Sequence, residues 1–294
     1  MEIIRVKASA TSANLGAGFD VLGIALREPY DTIEVEPSDR IVIEVSGRGA
    51  DSIPLQPERN TAGLVALAMG QNVHIKIHSN IRPGSGLGSS AAPAAGTAFA
   101  INELFSLGYT REELVRIAAR GEVAAAGVVH ADNVGPCIMG GLTIVNGIHA
   151  MSVEMPEMSV VAVLPDIIVN TKDARNILPK MVPLGEMVQN VGKACTLMAG
   201  VVKKDPVMIG YSLLDTFNEK YRSALIKGYA DVKSGAMRCG AYGVAISGSG
   251  PTMIALCPAG RSDAVARAMV ESFEKDGVGC ESYQTRVGEG VQII

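Results

Sequence analysis

Apolar and polar residues alternate strictly through Val73-His-Ile-Lys-Ile-His78, and that period of two predicts a strand with His74 and His78 on one polar, solvated face. The same reading places strands over Ile3 to Ala10, Thr32 to Glu36 and Ile41 to Ser46, which together suit an antiparallel, half-exposed sheet. Shorter apolar runs add strands at Leu142 to Val145, Val160 to Leu164 and Ser282 to Val287. Elsewhere the spacing is helical. Thr61 to Met69 is an apolar helix for which Asn60 is a good N-cap, and Ala91 to Leu107 follows a glycine-rich stretch. Thr110-Arg-Glu-Glu113 is a capping box that opens a further helix over residues 110 to 127. Residues 184 to 202 carry a longer helical pattern with Met187, Val191, Ala194 and Met198 on one side, a stripe expected to be core. Ser262 to Asp276 reads as the last helix.

Strand, helix and strand in this order suit a small α+β second domain with a split βαβ arrangement, and the chain divides into residues 1–150 and 151–294. Its 294 residues are enough for about two domains. Composition narrows the partners. No run approaches the roughly 18 uninterrupted apolar residues of a membrane span, and Met1-Glu-Ile-Ile-Arg5 lacks the regions of a signal peptide, so a cytoplasmic protein without a membrane partner is expected. Net charge is −4, and no cluster of Lys and Arg interleaves with aromatic residues, which argues against nucleic acid as a partner. Five cysteines without a C-x-x-C pair suggest neither a disulfide framework nor a cysteine zinc site, and reduced thiols in packed positions are expected.

The candidate chemistry centres on Arg82-Pro-Gly-Ser-Gly-Leu-Gly-Ser-Ser-Ala-Ala-Pro93, between a strand and a helix. Gly84, Gly86 and Gly88 let the backbone take φ > 0 and approach a ligand closely. With the unpaired N–H groups of a helix N-terminus, such a loop holds phosphate without a lysine. Pro93 lacks an N–H and so fits only the first helical turn, which makes Ser90 the expected N-cap rather than Ser89. Neither better-known phosphate motif accounts for the loop. A Walker A sequence needs a lysine, and none occurs between Arg82 and Ala100. Gly86-Leu-Gly-Ser-Ser-Ala91 formally matches the looser dinucleotide pattern, yet a second helix follows where that reading requires a strand ending in an acidic residue.

Five further sites carry polar groups out of keeping with plain structure. Thr11-Ser-Ala-Asn-Leu-Gly-Ala-Gly-Phe-Asp20 suits a ligand loop or a turn equally. Glu122 lacks a basic partner at i±4 and reads as a magnesium ligand or an exposed carboxylate. His130-Ala-Asp-Asn133 sets imidazole, carboxylate and amide side by side before Gly135-Pro136, and Asn170-Thr-Lys-Asp-Ala-Arg175 interrupts apolar sequence with charge. Gly243-Val-Ala-Ile-Ser-Gly-Ser-Gly-Pro-Thr252 is a second glycine-serine turn between apolar strands.

With these stretches in hand, the sequence resembles the GHMP kinase superfamily of small-molecule kinases along almost its whole length. Pro83 to Ala92 is similar to that family's ATP-phosphate loop, Thr11 to Asp20 to its N-terminal motif, and Gly243 to Thr252 to its C-terminal glycine motif. Thr11 to Asp20, His130 to Asn133 and Asn170 to Arg175 look most like the branch that phosphorylates L-homoserine. The resemblance implies an α+β fold of two domains, the first ribosomal protein S5 domain 2-like and the second ferredoxin-like. It also implies transfer of phosphate from ATP, with Mg²⁺, to the side-chain hydroxyl of homoserine in threonine biosynthesis, and it leaves a homodimer open. By that resemblance Pro83, Gly84, Ser85, Gly86, Leu87, Gly88, Ser89, Ser90, Ala91, Ala92 and Pro93 hold the nucleotide, with Asn60 near the adenine. Ser90 and Glu122 hold the metal. Asn14, Asp20, His130, Asp132, Thr171 and Arg175 surround homoserine, joined by Arg222 from a weaker motif. Asp132, Asn133 and Arg175 stand as catalytic residues. Related mevalonate and galactose kinases use an aspartate as base in the turn where this chain has Asp132-Asn133, and here either of the two, or neither, fills that role.

Charge chemistry agrees with an amino-acid substrate. Homoserine carries an ammonium, a carboxylate and a hydroxyl, for which Asp20, Arg175 and Asn14 are matching partners. Mevalonate and shikimate are the alternatives within the family. Mevalonate has no ammonium and would leave Asp20 and Asp132 as unpaired buried charge. Outside the family, a dehydrogenase built on Gly86 to Ala91 would bind NAD instead of ATP, and an RNA-binding protein of the same first-domain fold is disfavoured by charge.

Overall fold

The computed structural model describes residues 2–122, 131–147, 149–214 and 216–294. The first half supplies strands β1 (Ile4–Ala13), β2 (Leu22–Pro37), β3 (Val42–Gly47), β4 (Val73–Ser79), β5 (Leu142–Asn146) and β6 (His149–Val153). Its helices are α1 (Thr61–Met69), α2 (Ala91–Leu104), α3 (Arg111–Gly121) and α4 (Val134–Met139). The second half contributes β7 (Ser159–Pro165), β8 (Gly243–Ile246), β9 (Met253–Cys257), β10 (Cys280–Arg286) and β11 (Gln292–Ile293). With them come α5 (Thr171–Asn176), α6 (Leu184–Lys203), α7 (Pro206–Ser212), α8 (Phe217–Arg222), α9 (Tyr229–Arg238) and α10 (Ser262–Lys275).

Two sheets result. The larger runs β11-β1-β2-β4-β3, with β5 pairing β2 and β6 pairing β5. Strand β2 organises it, because Leu22 to Ile24 pair with β5 while Thr32 to Pro37 pair with β4 on the same edge. A register shift between Ser9 and Thr11 bends its partner β1 to follow. The stretch Thr32 to Glu36 is therefore the far half of a much longer strand; Arg27-Glu-Pro29 interrupts the alternation that would have extended it. The antiparallel expectation needs one correction, since β3 pairs with β4 in parallel. Their connection carries a helix, as a parallel crossover requires. His74 bonds Glu36 and Glu44 across that polar face, and His78 bonds Ser46, so both histidines belong to a solvated sheet surface.

Helix α2 lies buried against β1 and β2, and its small residues make the approach possible. A Cβ at Gly96 would stand 2.7 Å from Ile33 Cδ1 and 3.3 Å from Ala8 Cβ. This packing holds the N-terminus of α2, and with it Ser90, at one fixed point.

The smaller sheet is antiparallel in the order β10-β7-β9-β8, with α10 joining β9 to β10 and the other helices joining β7 to β8. Its first and third strands in chain order, β7 and β9, are central, which is the ferredoxin-like split βαβ order. Val161, Val244, Met253 and Phe273 fill its helix-facing side.

The stripe on α6 is a second correction. Met187 and Val191 are 52% and 54% exposed, whereas Leu197, Gly200 and Val201 are the buried residues of that helix. Its C-terminal half packs against α7, where the missing Cβ of Gly200 admits Ile209 at 2.9 Å, while the N-terminal half is held by polar contacts, Asn190 Nδ2 donating to Ala17 O at 2.9 Å and Lys220 Nζ to Glu186 Oε1 at 2.9 Å. Helical period marks an apolar face without saying that anything covers it. Cys195, on the same helix, is exposed and corrects the expectation of packed thiols, which Cys137 and Cys257 meet.

One buried acid in β2 anchors the segment leading to the glycine-rich loop. Asp31 Oδ1 accepts from the backbone N–H of Asn80 at 2.7 Å and of Ile81 at 3.0 Å, while Oδ2 is buried without a partner among the described residues. Burial raises its carboxyl to about 7, against the pull of those two N–H groups. The folded value lies above the unfolded one near 3.8, so the neutral acid contributes stability that is complete below about pH 4 and lost as pH rises through 7. Over that window its contribution should fall by on the order of 1 kcal/mol per pH unit. Asp31→Asn keeps an acceptor and does not titrate, so denaturant unfolding from pH 4 to 8 should show a flatter profile than the parent chain. Parallel profiles would assign the pH dependence to other groups.

Candidate active site

The loop between β4 and α2 takes positive φ at Gly84 (70°), Gly86 (79°) and Gly88 (73°). The glycines do different things. A Cβ at Gly86 would stand 2.6 Å from the carbonyl oxygens of both Ser247 and Gly250, so this residue is glycine because another backbone presses on it. Nothing lies within 4 Å of a Cβ at Gly84, which faces the open cleft where a phosphate can come close. Three loops distant in sequence are tied together here. Ser247 Oγ donates to Gly86 O at 2.7 Å, Thr252 N–H to Ser85 O at 3.3 Å, Thr11 N–H to Leu87 O at 3.0 Å, and Gly248 N–H to Ala13 O at 3.1 Å. They border a cleft of about 370 Å³.

Ser90 sits at the cap position of α2 with helical φ and ψ (−86°, −32°), and its side chain makes no cap bond. Its Oγ instead donates to Glu122 Oε2 at 2.9 Å. Glu122 follows α3, whose start is set by the expected capping box of Thr110 and Glu113. The carboxylate is buried, which removes the exposed-residue reading, and Oε1 has no hydrogen-bond partner among the described residues. Burial raises this carboxyl to about 7; the Ser90 hydroxyl opposes the shift and the charge of Asp132 adds to it. An orphaned carboxylate oxygen beside a serine hydroxyl is a fit for Mg²⁺, a hard cation that takes few protein oxygens and completes its octahedron with water and phosphate.

The other end of the cleft holds paired charges. Asn14, at φ 73°, donates Nδ2 to Gly248 O at 2.7 Å and accepts from Asp20 N–H at 3.0 Å through Oδ1, which fixes the turn that presents Asp20. Arg175, on α5, donates Nη2 to Asp20 Oδ1 at 3.0 Å and Oδ2 at 2.9 Å. Arg222 is buried; its Nε donates to Ala174 O at 3.1 Å and Nη1 to Gly248 O at 2.9 Å. Desolvation lowers its guanidinium to about 10, with Asp20 pulling the other way. Both guanidiniums lie over the ring of Phe19, at 5.7 Å and 5.1 Å. Thr171 Oγ1 and Ser249 Oγ are 3.3 Å apart.

Asp132 is buried between the two ends. Burial and then the charge of Asp20 push its carboxyl up to about 7, against Arg175 and Arg222, and Glu122 senses its charge from the opposite side. Asn133 accepts from Thr11 Oγ1 at 2.8 Å through Oδ1, so its amide is held in one orientation.

Asn14, Asp20, Asn60, Pro83, Gly84, Gly86, Gly88, Ser89, Ser90, Pro93, Glu122, Asp132, Asn133, Thr171, Arg175 and Arg222 all line the cleft. Ser85, Leu87, Ala91 and Ala92 do not; their side chains are buried, and they serve the loop through backbone and packing. His130 lies outside the described residues. Asn60 caps α1 as expected, with Oδ1 accepting from Ala62 and Gly63 N–H, and its Nδ2 donates to Pro54 O at 2.7 Å. Sequence reasoning missed Ser52, Ile53, Pro54, Arg59, Thr61, Ile77, Gly248 and Ser249 as lining residues. The last two lie in the Gly243 to Thr252 turn and were open to being found. Ile53 and Pro54 lie in irregular sequence with no period to mark them.

The description "GHMP kinases N terminal domain" matches residues 59–141, and "GHMP kinases C terminal" matches residues 197–275. A homoserine kinase of Methanocella arvoryzae is 70% identical over 294 residues, covering 100% of this chain and 98% of that protein. One of Haloarcula marismortui is 46% identical, covering 99% of this chain and 100% of that protein. The crystal structure of a homoserine kinase from Cytophaga hutchinsonii superposes with a TM-score of 0.92 at 35% identity, covering 100% of this chain and 98% of that one. Among the described residues no helix is long and apolar enough to cross a membrane.

Proposed function

Because the chain belongs to the GHMP kinase family, on the branch of the homoserine kinases, we infer that it transfers the γ-phosphoryl group of ATP to the side-chain hydroxyl of L-homoserine, in threonine biosynthesis. The observation that carries the reading is the Asp20–Arg175 pair, with Arg222 lining the same cleft, at one end of a cleft whose other end is the glycine loop and which has the buried Asp132 between them. In this reading Asp20 meets the substrate ammonium and Arg175 its carboxylate. Gly84 and the N-terminus of α2 receive the phosphates. Mg²⁺, held by Ser90 and Glu122, would neutralise charge gathering on the transferring phosphoryl group.

The transfer itself asks little covalent chemistry of the protein. Its transition state is loose, so alignment and charge neutralisation supply most of the rate. The hydroxyl oxygen bonds to the γ-phosphorus as the bond to the ADP oxygen breaks. Asn133, oriented by Thr11, positions the hydroxyl, and the proton passes to Asp132, whose carboxyl near 7 is matched to accepting it late. A cytoplasmic location belongs to the same reading.

A coupled ADP-release assay across L-homoserine, mevalonate, shikimate and galactose tests it. Turnover is expected with homoserine. Comparable kcat/KM with mevalonate or shikimate would replace the substrate assigned here.

A further inference from the structure

We propose that Arg59 is the cation that grips the phosphate chain of the nucleotide, an inference that rests on the kinase reading of the cleft. Three cations line the cleft among the described residues, namely Arg59, Arg175 and Arg222. Two of them are engaged at the amino-acid end, Arg175 with Asp20 and Arg222 with the carbonyls of Ala174 and Gly248. The phosphate loop offers no substitute, because Arg82 turns outward to Asp166 at 2.9 Å and no lysine lies between it and Ala100. Three carboxylates, Asp20, Glu122 and Asp132, line the same cleft. A nucleotide that keeps net negative charge even with its divalent cation enters that field, and a guanidinium on the same cleft would offset the repulsion beside the N–H groups of the loop.

Arg59 is built for this. It closes the helical turn Pro57–Arg59 directly before Asn60, and Asn60 is fixed at both ends of its amide by α1 and by Pro54. The turn presses on α1 so closely that a Cβ at Gly63 would stand 2.5 Å from the Cα and carbonyl oxygen of Pro57. A rigid backbone thus presents an exposed guanidinium that has no ion pair or hydrogen bond among the described residues, on a cleft whose lining also includes Pro83, Gly84 and Ser89. A planar fork of donors is the group best shaped for phosphate oxygens.

Arg59→Gln and Arg59→Lys in the full chain, titrated with ADP and with adenosine in competition with a fluorescent ATP analogue at fixed Mg²⁺, test the proposal. Arg59→Gln should weaken ADP about tenfold and leave adenosine unchanged, and Arg59→Lys should recover most of the loss. The KM for homoserine should stay put. Equal weakening of ADP and adenosine would put the guanidinium on the base or ribose and overturn the proposal, as would an unchanged ADP affinity in a variant whose parent binds ADP. A parent chain that binds no ADP would overturn the kinase reading itself.

Discussion

Glu122→Gln is expected to lower kcat by on the order of 100- to 1000-fold while leaving the melting temperature close to that of the parent chain. The size follows from charge. Glutamine keeps the shape of the side chain and an acceptor for Ser90 Oγ, so the bond now at 2.9 Å can persist. What it loses is the negative charge on an oxygen that no donor satisfies among the described residues. Ser90→Ala should act in the same direction with a smaller effect, because a neutral hydroxyl is a weaker ligand than a carboxylate. Steady-state rates across a Mg²⁺ series decide. Near-normal turnover of Glu122→Gln at limiting Mg²⁺ would end the ligand assignment.

The second large effect concerns Arg175. Its carboxylate partner is not the neighbouring Asp173 but Asp20, brought from the far end of the sequence to 2.9 Å. Both side chains are partly exposed, 39% and 32%, so the pair itself contributes roughly 0 to 1 kcal/mol to folding. A pair of so little structural value at the end of the cleft is a place for a zwitterion to insert its own ammonium and carboxylate. Lysine keeps the charge and loses the fork, so Arg175→Lys should raise KM for homoserine about 10- to 100-fold, from the roughly 1.5 to 3 kcal/mol of a charged hydrogen bond. The effect on kcat should be smaller, and KM for ATP should hardly move. An unchanged KM for homoserine would take Arg175 out of the substrate site.

Much of this site was legible because its chemistry is local. Glycine, serine and proline between Arg82 and Pro93 declare a tight loop and a helix start whatever surrounds them, and Thr110 with Glu113 declares a cap. Legibility stopped where one segment's meaning depends on another. The parallel pairing of β3 with β4 is a property of two strands and the crossover between them, so neither alternation predicts it. Met187 and Val191 have helical period, but the period does not say whether another element covers them, and both are exposed. Glu122 read as either a magnesium ligand or an exposed carboxylate for the same reason. It is buried, and the hydroxyl that meets it, Ser90 Oγ, comes from more than thirty positions earlier. Arg59 carries no periodic or motif signal at all, and only the fold brings it to the lining of the cleft.

The tie between the three loops sets a limit on what can be cut out and moved. Every residue of the phosphate loop is encoded before position 94, which invites treating the first 150 residues as a transplantable ATP-binding cassette. Yet the carbonyl of Gly86 is held by Ser247, and that of Ser85 by Thr252. Gly248 receives Asn14 and Arg222 on one carbonyl oxygen. A chimera that grafts the N-terminal segment onto a foreign partner would inherit the glycines without the hydroxyl and N–H groups that set their course. The transferable unit is the pair of loops, Arg82 to Ser90 with Ser247 to Thr252, and a swap that carries both across has the better prospect of carrying the site with it.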